Sequence, residues 1–200
     1  MQPILTKLEP ADYLTTQWSG GSTTQLIIAP EGAAYADRDF LWRVSSATVE
    51  LDESDFTPLP DYRRYISTVR GDMTLSHNGG DALTLRPGDV HKFDGGDDTH
   101  SFGRCTDFNL MLRKGKADGT MRSLRISGGA ADFQSEQRAE TILLYCAEGA
   151  ADVSCGSLRR RLAAGESLLA KNAAGAVFRI DHAEHALLMI AQAWRAEQPV

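Results

Sequence analysis

Leu85-Arg86-Pro87-Gly88-Asp89-Val90-His91 is followed 77 residues later by Leu162-Ala163-Ala164-Gly165-Glu166-Ser167-Leu168. Each stretch runs from an apolar residue through a short turn to a glycine, an acidic residue and a new strand-like segment. A second matched pair stands upstream: Val69-Arg70-Gly71-Asp72-Met73-Thr74-Leu75 and Ala147-Glu148-Gly149-Ala150-Ala151-Asp152-Val153. Glycine adopts positive φ at little steric cost, so it marks tight turns. A unit of strand, glycine turn, strand, and further strand ending in Gly-acidic therefore occurs twice. Self-similarity at this period means that one structural unit has been used twice in the chain.

The surrounding sequence is β throughout. Arg43, Ser45, Ala47, Val49 and Leu51 share one face of an extended strand, and Trp42, Val44, Ser46 and Thr48 the other. Residues 65–70, 73–77, 83–86 and 108–113 also read as strands, separated by Asn78-Gly79-Gly80-Asp81, Arg86-Pro87-Gly88-Asp89 and Asp94-Gly95-Gly96-Asp97-Asp98. No segment keeps a 3.6-residue period, although 36–39 and 131–138 could each form a helical turn. Many short strands with regular turns indicate a sandwich or barrel. The repeating unit resembles the core of cupin domains, in which a Leu-x-Pro-Gly-Asp turn joins two barrel strands. The expected fold is all-β: a bicupin, with two cupin-like jelly-roll barrels in one chain. Residues 1–115 form the barrel with the polar motifs, and 120–200 a degenerate, largely structural barrel. The boundary is placed in the polar, flexible Lys114-Gly115-Lys116-Ala117-Asp118-Gly119.

Composition narrows the function. With 200 residues, 42% hydrophobic and 24% charged, the chain can bury a core. A net charge of −6 argues against general nucleic-acid binding. The run Arg159-Arg160-Arg161 reads as a solvated strand face. The N-terminal stretch Met1-Gln2-Pro3-Ile4-Leu5-Thr6-Lys7 lacks the pattern of a signal peptide, and no run of about 18 apolar residues suggests a membrane span. Three cysteines without a CxxC spacing (Cys105, Cys146, Cys155) suit a reduced, cytoplasmic chain.

The motifs with chemical content lie in the first half. Trp18-Ser19-Gly20-Gly21-Ser22-Thr23-Thr24-Gln25 gathers hydroxyls and an amide beside a glycine turn, where a small polar molecule could be held. Trp42-Arg43-Val44-Ser45-Ser46-Ala47, Pro60-Asp61-Tyr62-Arg63-Arg64 and Asp107-Phe108-Asn109-Leu110-Met111 follow in order. Together these four motifs resemble the HutD/Ves family of bacterial bicupins. The resemblance implies a link to histidine utilisation or stress response and a small acid as ligand. It also implies a ligand-binding set of Trp18, Gly20, Gly21, Thr24, Gln25, Arg43, Ser45, Arg64, His91, Phe93, Asp107, Asn109 and Met111. Ser19, Ser22 and Asp61 stand where that family more often has Asn, Gly and Gly.

Read as residues, these positions leave alternatives. Strand alternation puts Asp107, Asn109 and Met111 on one face and Phe108, Leu110 and Leu112 on the other. The latter is the natural core face, so Asp107 and Asn109 meet either solvent or a polar cavity. A buried Arg43 needs an anionic partner, which could be Asp107 or a ligand carboxylate. The family pattern favours Arg64 over Arg63 for the cavity.

No metal or other cofactor is expected. His91 sits where metal-binding cupins place one ligand, but no His-x-His precedes it, and one donor does not make a site. His182-Ala183-Glu184-His185 reads as a solvated loop. There is no nucleophile elbow and no dinucleotide or phosphate-binding loop. The expected partner is a small organic acid, with neither nucleic acid nor membrane, and a homodimer is possible through strand edges. The function expected is small-acid binding with an accessory or regulatory role. The alternative is a metal-free isomerase or hydrolase using His91 or Asp107 as general base.

Overall fold

The computed structural model describes residues 2–181 and 185–197. In chain order the strands are β1 (Ile4–Leu8), β2 (Leu14–Trp18), β3 (Gly21–Ala29), β4 (Trp42–Val49), β5 (Glu53–Asp55), β6 (Tyr62–Arg70), β7 (Met73–His77), β8 (Leu83–Leu85), β9 (Val90–Asp94), β10 (Thr99–Phe102), β11 (Cys105–Arg113), β12 (Ala117–Ile126), β13 (Ala131–Gln134), β14 (Thr141–Glu148), β15 (Ala150–Cys155), β16 (Leu158–Ala163), β17 (Ser167–Lys171), β18 (Val177–Asp181) and β19 (Ala186–Arg195). Among the described residues helix is limited to short 3-10 turns at Pro10–Asp12 and Tyr35–Asp37. The second lies close to the helical turn expected at 36–39. The one expected at 131–138 is instead the strand β13, paired to β18. No helix among the described residues is long and apolar enough to cross a membrane.

The chain divides into two compact units. One comprises Tyr13–Asp118 with Ala196, the other the residues up to Asp12 with Gly119–Arg195. In the first unit a six-stranded sheet, β2-β3-β4-β11-β6-β9, faces a four-stranded sheet, β5-β10-β7-β8. The second unit repeats this plan, with β1-β17-β14-β19-β12 against β13-β18-β15-β16. The order β9-β6-β11-β4 thus recurs as β17-β14-β19-β12, and β5-β10-β7-β8 as β13-β18-β15-β16. Strand pairs such as β11·β6 and β14·β19 are antiparallel, and an isolated parallel bridge joins Thr68 and Pro87. This is the jelly-roll arrangement of two cupin-type barrels.

The repeated turns explain the register of both units. Gly88 and Gly165 have φ of 96° and 87°. In each turn the following acid accepts a hydrogen bond from a backbone N–H three residues back: Arg86 N–H to Asp89 Oδ2 at 2.9 Å, and Ala163 N–H to Glu166 Oε2 at 2.7 Å. Gly71 and Gly149 match in the same way, with φ of 71° and 73°. The glycine-acidic pattern is therefore a capped turn that fixes where the next strand starts.

Two expectations about the boundary change. Residues 114–119 are not a slack linker. Lys114 N–H donates to the Asp61 carbonyl at 2.9 Å, and the Lys114 ammonium contacts the Pro60 carbonyl and the Asp94 carboxylate at 2.6 Å each. The first twelve residues do not belong to the N-terminal barrel either. Strand β1 pairs with β17 from Ile4↔Lys171 to Leu8↔Ser167. Beside this pairing Lys7 reaches Glu166 at 2.8 Å.

The interiors of the two units differ. The second is filled by aliphatic and aromatic side chains from both sheets. Leu5, Ile142, Leu144, Val153, Leu162, Leu168, Phe178, Ile180, Leu188 and Ile190 form one cluster, with Phe133 stacked on Phe178. In the first unit such packing occupies only part of the interior. Val49, Ile66, Met73, Leu75, Leu85, Phe93 and Cys105 form one cluster, and Phe40, Leu59, Tyr62 and Met111 a second. The remaining interior is a cavity whose wall mixes polar groups such as Arg43, Arg64, Asp107 and Asn109 with apolar ones such as Trp18, Phe56 and Met111.

Candidate functional site

The polar interior follows from strand parity. On β4 the inward positions are Arg43, Ser45, Ala47 and Val49. On β11 they are Asp107, Asn109 and Met111. Both strands are central, paired from Cys105↔Val49 to Leu112↔Trp42, and β11 also pairs with β6. Phe108, Leu110 and Leu112 point to the opposite face and are also fully buried. Asp107 and Asn109 thus face a cavity inside the barrel, not solvent. The cavity measures about 360 Å³ and is lined by Trp18, Arg43, Ser45, Arg64, Asp107, Asn109 and Met111 among others. In the second unit β14 and β19, which correspond to β6 and β11, carry Ile142, Leu144, Leu188 and Ile190 inward, which closes the space.

Two arginines dominate the site. Arg43 is 5% exposed. Its Nε–H donates to Gln25 Oε1 at 2.8 Å and its Nη1–H to Ser45 Oγ at 3.0 Å. Its guanidinium lies 4.3 Å from the centre of the Tyr35 ring. Arg64 is 6% exposed and is clasped by aromatic rings, 4.8 Å from the centre of Phe56 and 5.1 Å from Phe93. Its buried Nε has no hydrogen-bond partner. Burial lowers the pKa of both groups, that of Arg64 to about 10. The neighbouring Arg63 is half-exposed and pairs with Asp118 at 3.2 Å. Arg64, not Arg63, is the cavity residue.

Asp107 is deeply buried, and its Oδ1 accepts a hydrogen bond from Ala47 N–H at 3.1 Å. No ion pair joins it to Arg43 or Arg64 among the described residues, so the interstrand salt bridge is not formed. Burial raises its pKa to about 7, although the Ala47 N–H and the two arginines pull it down. Asn109 Oδ1 is likewise buried without a partner. The cavity therefore holds two cations, one acid that resists ionising, and unsatisfied polar atoms. Such an arrangement favours an anion with its own donors and acceptors.

The remaining expected residues divide into supports and absentees. Gln25 orients Arg43, and Phe93 underlies Arg64, without either lining the cavity. A side chain on Gly20 would run into the Trp18 ring, so this glycine lets that ring lie against the backbone at the cavity wall. Gly21, with φ 142°, approaches the Thr48 carbonyl and shapes the β2–β3 turn. Thr24 faces away and bonds Thr15 at 2.9 Å. Its neighbour Thr23, paired with the inward Ala47, lines the cavity in its place. His91 is absent from the cavity wall. It stacks on His77, with the two Nε2 atoms 2.9 Å apart, and beside Phe93. Burial, then His77, lowers its pKa.

Sequence reasoning missed Thr16, Thr23, Tyr35, and the segment Ser54, Asp55, Phe56 and Thr57. Most of these lie on connections or on the short strand β5, where neither parity nor a motif marks them. Among the described residues no group of three His, Cys, Asp or Glu is placed to hold a metal ion. His182 and Glu184 lie outside the described residues.

Two jelly-roll units in one chain, the first with an internal cavity and the second filled, make a bicupin. The HutD family model matches residues 10–188, and the chain belongs to that family. It is similar to a conserved protein of unknown function from Pseudomonas aeruginosa PAO1, at 27% identity and TM-score 0.83, over 96% of this chain and 99% of that one. It is also similar to HutD from Pseudomonas fluorescens SBW25, at 20% identity and TM-score 0.75, over 97% and 100%. Oxalate decarboxylase from Lactobacillus farciminis shares the fold, at 9% identity and TM-score 0.63, over 97% and 86%. A comparison with curated protein sequences finds no match.

Proposed function

We propose that the first barrel binds a small carboxylic acid between Arg43 and Arg64, and that this binding serves an accessory or regulatory role in bacterial histidine utilisation or stress response. The observation that carries the reading is Arg64. It is a buried guanidinium held by two aromatic faces, with its Nε unpartnered and no ion pair to the acid in the same cavity. A buried cation without a counter-charge costs several kcal/mol by ordinary desolvation estimates, on the order of 3–5. A carboxylate ligand would offset that cost and match the planar guanidinium. Family membership supports the pathway association, and the second barrel takes a structural part.

The experiment is a thermal-shift screen with urocanate, formiminoglutamate, formylglutamate, histidine, glutamate and neutral sugars. A ligand at 100 times its Kd adds roughly 2.7 kcal/mol of stability. The expected result is a shift with one or more acids that Arg64→Met and Arg43→Ala abolish and Arg63→Ala keeps. An equal shift in parent and Arg64→Met would sink the reading.

A second reading is a metal-free enzyme. Its general base would be Asp107, with a pKa of about 7 inside the cavity, because His91 does not line that space. Turnover of a bound acid that is lost in Asp107→Asn, with binding retained, would favour it.

A further inference from the structure

Asp107 is placed so that it must respond to an anion in its cavity. It is 6% exposed and accepts a hydrogen bond from Ala47 N–H through Oδ1. The ionisable groups around it are Arg43 on β4, Arg64 on β6 and Cys105 two residues earlier on β11. Tyr35 and Asp55 also line the cavity. Asp55 is held at the edge by His100, whose Nδ1 lies 2.6 Å from its Oδ1. The cavity is small, about 360 Å³. An anion lodged against the two guanidiniums therefore shares one small cavity with the Asp107 carboxyl. Two carboxylates in such a space cannot both ionise cheaply, and one proton comes to be shared between them.

We propose that filling the anion position between Arg43 and Arg64 is coupled to uptake of one proton from solvent onto the Asp107–ligand carboxyl pair, so that the barrel holds its acid below neutrality and lets it go as the pH rises. The inference rests on the small-acid reading of this cavity. The proton resides on one of the two facing carboxyl groups and is donated to an oxygen of the other, so bound ligand and Asp107 together carry one negative charge between the two arginines. Asp107 is suited to this role because nothing else in the cavity neutralises it: neither arginine pairs with it. Its own titration near neutrality places the coupling in the range that a cell experiences. Cys105 does not compete, since burial pushes its thiol up to about 12.

The test uses formate, the smallest carboxylate, which stays ionised throughout. Formate is titrated into the intact protein from pH 6 to 9, with Kd read from the side-chain NMR signals of Arg64. Calorimetry at pH 8 in two buffers of different ionisation enthalpy counts the protons taken up. The expected result is a Kd that is flat at low pH and weakens above about pH 7, by at most roughly tenfold per unit. Calorimetry should find close to one proton taken up at pH 8. Asp107→Asn should bind formate with no pH dependence, and His100→Gln should keep the parent slope. Should Asp107→Asn fail to fold, the proton count on the parent protein decides alone. Binding with no proton uptake overturns the coupling and leaves the small-acid reading standing. A slope that disappears in His100→Gln assigns the pH dependence to the Asp55 edge and also overturns it. Absence of formate binding at any pH overturns both.

Discussion

Arg64 and Asp107 face the same cavity from neighbouring strands and do not pair. On the ladder between β6 and β11, Arg64 stands opposite Met111 and Asp107 opposite Thr68. The arginine is held by Phe56 and Phe93, and the acid by the backbone of Ala47. Each ionised group is thus kept out of water without its natural counter-charge. Burial accordingly moves both towards neutrality, Arg64 down to about 10 and Asp107 up to about 7.

The first consequence concerns stability against pH. The folded pKa of Asp107 lies above its value in the unfolded chain, near 3.9. Its ionisation therefore opposes folding. Its contribution to stability is most favourable below the unfolded value, falls as the pH rises towards 7, and is level above that. Asp107→Asn removes this decline. The variant should be more stable than the parent at pH 8, by up to roughly 4 kcal/mol, with the gap closing near pH 4. Urea denaturation at the two pH values measures it, and a gap independent of pH would contradict the account.

Arg64→Met tests the same imbalance from the cationic side. Methionine fills similar space between Phe56 and Phe93 without a charge to desolvate, and such replacements are often neutral or stabilising by about 1–4 kcal/mol. The unliganded variant should melt at or above the parent temperature and lose the acid-induced shift. A large loss of stability would mean that Arg64 holds the barrel together.

His91→Leu asks whether that histidine belongs to the site. The corresponding residue of the second unit is Leu168, fully buried in an apolar core. His91 contacts His77 and Phe93 outside the cavity wall. The variant should keep its acid-induced shift and change stability by within about 1 kcal/mol. Loss of binding in a folded variant would return His91 to the site.

Gly21→Ala probes the turn that begins β3. With φ at 142°, an added methyl would sit 1.9 Å from the Thr48 carbonyl oxygen. The backbone must move, at a cost of about 2–4 kcal/mol, in the upper range for single substitutions. Gly79, at φ 68° with open space around it, serves as the control. There alanine should cost only about 1 kcal/mol. Equal melting temperatures for the two variants would argue against a close approach at Thr48.

Much of this arrangement is legible in the sequence because it rests on two short periodicities. The Gly-acidic turns mark the repeat, and their side-chain caps at Asp89 and Glu166 show why the pattern recurs. Alternation along β11 separates Asp107 and Asn109 from Phe108 and Leu110, but cannot say which face is the inside, since both are buried. The set that the resemblance implies names Thr24 and not Thr23. The pairing of Thr23 with the inward Ala47 decides the matter, and pairing is a long-range property. Phe56, Thr57 and Tyr35 reach the cavity from connections whose path depends on the finished barrel. Strand β1 carries no signal that it will cross to β17 rather than join its own neighbours.

That crossing ties the order of synthesis to the order of assembly. Ile4–Leu8 is made well before the edge it completes, Ser167–Lys171. A ribosome can release Tyr13–Asp118 ready to close on itself, while the segment before it waits unpaired. A strand translated ahead of both barrels is among the last to find its place.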